Sequence, residues 1–265
     1  MDARPRDTWV SRHERGLLGL LSVGLVLGVW EAAAALGLTN IRFLSSPSRI
    51  LLAGLEEIQI PRFWTDVQTS GFEFLTGYGL AVLAGIPLGI ALGWYRRAAL
   101  LVEPLINFLY ATPRIALLPL ITLWLGLTIW SKVAVVFLGA WVTILLNTYL
   151  GARTVDQSLL SVARVFGARQ RRVFSTLVLP GSVPFILAGL KLGVGRALIG
   201  VIVAELYGAT AGIGVMIELA SHNLQGDRVL FGTLLFISLG VVMFEMLRRL
   251  EDRFAGWRRE TTMTA

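Results

Sequence analysis

The chain has 265 residues, 55% hydrophobic and only 15% charged, with a formal net charge of +7, whereas a soluble domain carries roughly 25% charged residues. Zero cysteines and two histidines, His13 and His222, remove disulfides, thiolate metal sites and thiol nucleophiles, and leave almost no material for a zinc or haem site. The basic residues flank long apolar runs rather than forming a stripe on a polar domain, which excludes nucleic acid as the partner and selects a lipid bilayer.

In chain order, a cytoplasmic tail is expected over 1–15, with a first apolar run over 16–38 that only Glu31 interrupts. A secretory signal peptide would end similarly, with Ala33 to Ala35 imitating a cleavage site, but the apolar stretch beyond Glu31 favours a retained span. The chain is polar over 39–68. There Ser46-Pro47-Ser48 reads as a helix start, and Leu51, Leu52, Leu55 and Ile58 recur at helical spacing, as in an amphipathic helix on the membrane surface. A second span covers 70–95 and stops at Arg96-Arg97. The next, over 98–130, carries Glu103, Pro104, Pro113, Arg114 and Pro119 and reads as broken; such breaks survive only where protein or a watery cavity satisfies the freed backbone. A clean span follows over 133–150, then a polar basic connection over 151–180. Further spans are expected over 184–207 and 229–247, closing a single transmembrane domain over 16–250 before a cytoplasmic tail over 251–265. The architecture is therefore all-α, with about six transmembrane helices.

Six spans place both termini on one side. On that side fall 16 of the 24 basic residues against 5 on the other, which sets the termini and the 151–180 connection in the cytoplasm. Ala81, Gly85, Gly89 and Gly93 repeat every four residues, as do Gly189, Gly193 and Ala197, so each set offers a smooth stripe to a neighbouring helix.

The 151–180 connection has helical periodicity on both sides of a glycine. Leu159, Ala163 and Phe166 share a face before Gly167, and Val173, Phe174, Leu177 and Val178 share one after it. Gly167 suits a left-handed helix cap, and Pro180 is expected to end the second helix. Two short helices at a sharp angle make a knob that either lies on lipid headgroups or docks into another protein; periodicity leaves both open.

Charges inside spans usually face a cavity or a partner. Arg114 lies between Pro113 and Pro119, where it could receive an oxyanion in transit or hold broken-helix carbonyls. Arg196 and Glu205 stand nine residues apart, about 13 Å along a helix and on roughly opposite faces, so each needs a partner elsewhere. Lys191 is expected to snorkel to the cytoplasmic edge. Glu205, ahead of Gly208, Gly212 and Gly214, either shapes an external gate or is a satisfied structural carboxylate. Asn147, Tyr110 and Thr112 are candidate lining groups or helix-to-helix hydrogen bonds.

Ser161-Val162-Ala163, three residues, Gly167, nine residues and Leu177-Val178-Leu179-Pro180 resemble the EAA loop, E-A-A-x3-G-x9-I-x-L-P, of permease subunits in ABC-type importers. Ser161-Val162 replaces the leading Glu-Ala, and Leu177 the Ile. Leu44-Ser45-Ser46-Pro47-Ser48, Gly85-Ile86-Pro87-Leu88-Gly89, the run from Thr112 to Leu120, Trp124-Leu125-Gly126, and Val203-Ala204-Glu205 with Gly212-Ile213-Gly214 are similar to the nitrate/sulfonate/taurine branch of that family. Glu73 stands where that branch would carry a basic residue.

The resemblance implies a type I importer permease fold whose coupling helix-turn-helix uses Ser161, Val162, Ala163, Phe166, Gly167, Ala168, Leu177, Leu179 and Pro180. It implies a second permease copy, two cytoplasmic ATP-binding subunits that hold ATP and magnesium, and a periplasmic or lipid-anchored solute-binding protein, in a bacterial inner membrane. It also implies a small anionic solute such as a sulfonate, taurine or nitrate, passing Tyr110, Thr112, Arg114, Asn147, Arg196 and Glu205. The chain itself has no phosphate-loop motif and would need no cofactor, so no enzymatic step is expected of it. An ion-coupled secondary carrier is the alternative; it would more often show acidic or histidine relays at mid-membrane. A membrane enzyme would need paired carboxylates, a metal cluster or an activated nucleophile on facing helices.

Overall fold

The computed structural model describes residues 9–38, 44–155 and 157–254, and every regular element among them is helical. Arg4, Arg6, Arg42, Arg258 and Arg259 lie outside the described residues, as do most of the two expected tails. The helices are α1 (Trp9–Ala35), α2 (Pro47–Glu57), α3 (Pro61–Trp94), α4 (Arg96–Ala111), α5 (Leu118–Leu125), α6 (Ile129–Arg153), α7 (Gln157–Val165), α8 (Gln170–Val173), α9 (Leu179–Leu206), α10 (Ile213–His222) and α11 (Gly226–Phe254). Among the described residues five helical segments are long and apolar enough to cross a bilayer, and α4 with α5, bent by 88°, brings the number to six if the pair is one span.

The chain divides into two compact units, residues 1–61 with 217–233, and 62–216 with 234–265. In the first, Ser46 caps α2 by accepting from the Arg49 N–H at 3.4 Å, with Pro47 at the position where a missing N–H costs nothing. Glu31, the charge that interrupts the first apolar run, accepts from the Ser48 N–H at 3.0 Å and from its hydroxyl at 2.7 Å. The Phe231 ring fills the space a side chain at Gly54 would need, and Arg228 pairs with Glu57 at 3.5 Å. The remaining face of α2 turns Leu51, Leu52 and Leu55 outward. The polar stretch 39–68 is thus not one surface helix: α2 ends at Glu57, and residues 61–68 are the first turns of α3.

In the second unit α6 is the central helix, gripped by glycines from both sides. On α3, a side chain at Gly77 would meet Val136 at 2.6 Å and one at Gly89 the Leu145 carbonyl at 2.7 Å; Gly85 faces Ile144 at 3.0 Å. On α9, Gly189 faces Asn147 at 2.7 Å, Gly193 faces Ile144 at 2.9 Å and Gly200 the Val136 backbone at 3.1 Å. Ala81 and Ala197 continue the two stripes, both fully buried. Close approach lets dispersion contacts accumulate where lipid supplies no hydrophobic drive.

The broken span follows from its prolines. Thr112, ahead of Pro113, is forced extended (φ −68°, ψ 126°), which ends α4. A 3-10 turn over Arg114–Leu117 leads into α5, which Gly126 closes at φ +72°. Pro180, by contrast, does not end a helix. The chain is helical from Gln170 to Leu206, because a π turn over Phe174–Val178, in which the Leu179 N–H reaches back to the Phe174 carbonyl, widens the turn that the proline ring would otherwise strike.

Candidate functional site

The knob is built by α7, Gly167 and the start of the Gln170–Leu206 helix. Gly167 has φ +67°, and the Ala168 N–H donates to the Ala163 carbonyl at 2.9 Å, the bond that closes a left-handed helix end. Arg169 is extended (φ −62°, ψ 143°) and begins the next helix. Val162 and Leu159 are about half exposed, whereas Val165 is 85% and Phe166 84% exposed. A phenylalanine presented to solvent at the apex of a two-helix corner is not a core residue of this chain. Ala163, Ala168 and Leu177 are half-buried, Ser161 and Leu179 exposed, and Pro180 lies in the first turn of α9.

Five of the six expected pathway residues line two adjoining cavities. One, of about 370 Å³, is bounded by Tyr110, Thr112, Arg114 and Arg196; the other, of about 590 Å³, by Glu103, Tyr110, Arg114, Asn147 and Arg196. The break between α4 and α5 supplies Thr112 and Arg114, α4 supplies Tyr110, α6 supplies Asn147 and α9 supplies Arg196. Arg114 donates from Nη1 to the Gly139 carbonyl of α6 at 2.9 Å, while its Nε is buried with no hydrogen-bond partner. Thus it holds a carbonyl, though not one of its own broken span, and keeps a donor over. Asn147 donates to the Thr143 carbonyl at 2.8 Å within α6, which leaves its amide oxygen and its second N–H as the groups it offers. Two guanidiniums sharing a cavity favour an anion between them.

Glu205 is not among the lining residues. Fully buried, it accepts from the Ser70 hydroxyl at 2.5 Å and from the Gly214 N–H at 2.5 Å. Ser70 Oγ in turn accepts from the Ile213 N–H at 2.8 Å, and Asp66 accepts from the Gly212 N–H at 2.8 Å. Arg62 stands 3.7 Å from Asp66 and donates to the Thr210 carbonyl at 3.1 Å. One face of α3 therefore clasps the loop after α9, a cluster the sequence reading missed. Its signal was present in the spacing of Arg62, Asp66, Ser70 and Glu73, about one helical turn apart. Lys191 does not snorkel free: its Nζ pairs with Glu251 of α11.

Multiple apolar helices, one of them broken beside a polar cavity, and a corner that exposes a phenylalanine define a membrane permease. The chain belongs to the family of binding-protein-dependent transport system inner membrane components, whose description matches residues 85–256. It is a multi-pass ABC importer permease of the sulfonate/taurine branch and not a catalytic subunit; that membership sets the ion-coupled carrier aside. It is 32% identical over 240 residues to the putative aliphatic sulfonates transport permease protein SsuC of Bacillus subtilis (strain 168), covering 91% of this chain and 87% of the relative. With the taurine transport system permease protein TauC of Escherichia coli (strain K12) it shares 30% identity over 256 residues, 95% of this chain and 92% of that one. Among solved structures, a chain of the inward-facing MetNI methionine ABC transporter matches with a TM-score of 0.57 at 14% identity, covering 70% of this chain and 94% of that one. The fold is that of type I importer permeases.

Proposed function

We propose that this chain forms half of a pathway that carries a small organic anion, a sulfonate or taurine, into the cytoplasm. The observation that carries the reading is the convergence of Arg114 and Arg196 on one cavity, with Arg114 Nε buried and unpartnered. A sulfonate offers three oxygens to such donors, and a desolvated guanidinium binds them far better than water-exposed charge does. The relatives named for sulfonate and taurine transport support the same class.

Two copies of the chain enclose the pathway between them, with the termini and the Gly167 knob on the cytoplasmic side of a bacterial inner membrane. Two ATP-binding subunits, which hold ATP and magnesium, receive Phe166 and its neighbours Ser161, Val162, Ala163 and Ala168. Leu177, Leu179 and Pro180 carry the movement into α9. ATP binding draws the knobs together and rocks the cavity outward, where a periplasmic or lipid-anchored binding protein delivers the solute. The basic bias toward the side of the termini supports this orientation.

Deleting the gene in its native host tests the substrate class. Uptake of radiolabelled taurine or of an alkanesulfonate should disappear while sulfate uptake persists; retention of both, with loss of uptake of a neutral compound, overturns the anion reading.

A further inference from the structure

A third cavity, of about 610 Å³, lies apart from the pathway, where the turn from α3 into α4 meets the end of α6 and the start of the Gln170–Leu206 helix. Its polar wall carries Arg96, Arg97, Arg153 and Gln170, and its apolar wall includes Leu92, Trp94, Leu160 and Val178. Among the described residues no carboxylate lies within ion-pair distance of Arg96, Arg97 or Arg153. Arg153 is oriented by Tyr149: its Nη1 donates to the phenol oxygen and its guanidinium carbon lies 5.3 Å from the ring centre. Tyr95 caps α4 without a side-chain hydrogen bond, so the first N–H groups of this 16-residue helix add to the positive field of the arginines. On the apolar side Trp94, at the end of the apolar α3, packs edge-on against Phe174 at 5.2 Å, and tryptophan is a residue that headgroup-level sites favour.

Three arginines line one cavity without a described counter-charge, so an anion that enters it meets positive charge from two sides of the fold. Phosphate matches them in geometry, because each guanidinium offers a planar fork to two oxygens. We infer that this cavity binds a phosphate-bearing anion, and that the apolar wall fits it to the headgroup and upper acyl chains of an anionic phospholipid rather than to a soluble phosphate. The site depends on neither the transported solute nor the coupling reaction. Because Leu160 and Gln170 border it, a bound lipid braces the knob against the membrane face of α3 and α6.

The test is native mass spectrometry of the full-length chain, delipidated and then titrated with phosphatidylglycerol, phosphatidylcholine or inorganic phosphate. The wild type should retain phosphatidylglycerol in preference to phosphatidylcholine, and Arg96→Gln/Arg97→Gln should weaken that retention about 10- to 100-fold, the scale expected when charge-assisted bonds are lost. This double variant keeps the Arg153 to Tyr149 contact and is checked for monodispersity. Arg248→Gln/Arg249→Gln removes the same charge elsewhere and should leave retention unchanged. Competition by millimolar inorganic phosphate identifies a soluble phosphate as the ligand; its failure to compete identifies the lipid. Equal losses in both variants, or a loss in neither, overturn the site.

Discussion

Ser70 of α3 and Glu205 of α9 meet at 2.5 Å, and through that contact two long helices fix the loop that separates α9 from α10. Ser70 donates to the carboxylate and accepts from Ile213, so one hydroxyl ties helix, helix and loop together. Gly212 takes φ +135° beside the Glu205 carboxylate, where a side chain would collide with it.

Glu205→Ala leaves the Gly214 N–H and the Ser70 O–H donor buried and unpaired, at a cost of about 1–3 kcal/mol each. The apparent Tm in detergent should fall by roughly 5 °C or more. Ser70→Ala should cost a comparable amount, because it leaves the Ile213 N–H and one Glu205 oxygen unpaired while the carboxylate keeps the Gly214 bond. Equal melting curves for Glu205→Ala and wild type would reject the clasp.

Nothing lies within 4 Å of where a side chain at Gly167 would stand, so substitution there strains the backbone and nothing else. Gly167→Val forces a branched residue into the left-handed region, whereas asparagine tolerates it. In proteoliposomes with its ATP-binding subunits, Gly167→Val should hydrolyse ATP without matching uptake while inserting normally, and Gly167→Asn should recover most coupling. Fully coupled uptake by the valine variant would remove the knob from the mechanism.

Arg114→Ala should lower anion uptake about tenfold or more, because a charge-assisted bond is lost. Arg114→Lys should restore little, since an ammonium lacks the fork that reaches Gly139 and still leaves a donor free. Uptake kinetics equal to wild type in Arg114→Ala would make this arginine a purely structural one.

Gly77 and Gly79 give a contrast within one helix. At Gly77 a methyl would meet Val136 at 2.6 Å, but at Gly79 it meets nothing within 4 Å. Gly77→Ala should therefore destabilise by about 1–3 kcal/mol, whereas Gly79→Ala should be neutral or stabilising by up to about 1 kcal/mol. Thermal aggregation in detergent reads both; the same ranking for the two would contradict the grip on α6.

How much of this was legible in the sequence depends on the length scale of each signal. Apolar runs and four-residue glycine spacing are local, and both glycine stripes face α6. The Gly167 cap was equally readable, since only a left-handed position calls for glycine between two amphipathic stretches. The start of α3 was not, because Arg62, Asp66 and Ser70 look like a solvated face until the Gly212 loop supplies their partners. Lys191 likewise read as a terminal cation, its partner Glu251 lying 60 positions away. At Pro180 the local rule predicts a stop, and the π turn that defeats it leaves no compositional mark.

The helix from Gln170 to Leu206 has 37 residues, a rod of about 55 Å. One end leaves the knob, Arg196 lies about 39 Å along it, and Glu205 sits at the far end in the clasp on the loop that follows. Were the rod to hinge at the π turn near its base, the pivot would lie far from its centre. A tilt of about 5° there sweeps the distant tip by roughly 4 Å, more than the length of a hydrogen bond. A displacement of that size would be large enough to part Ser70 from Glu205.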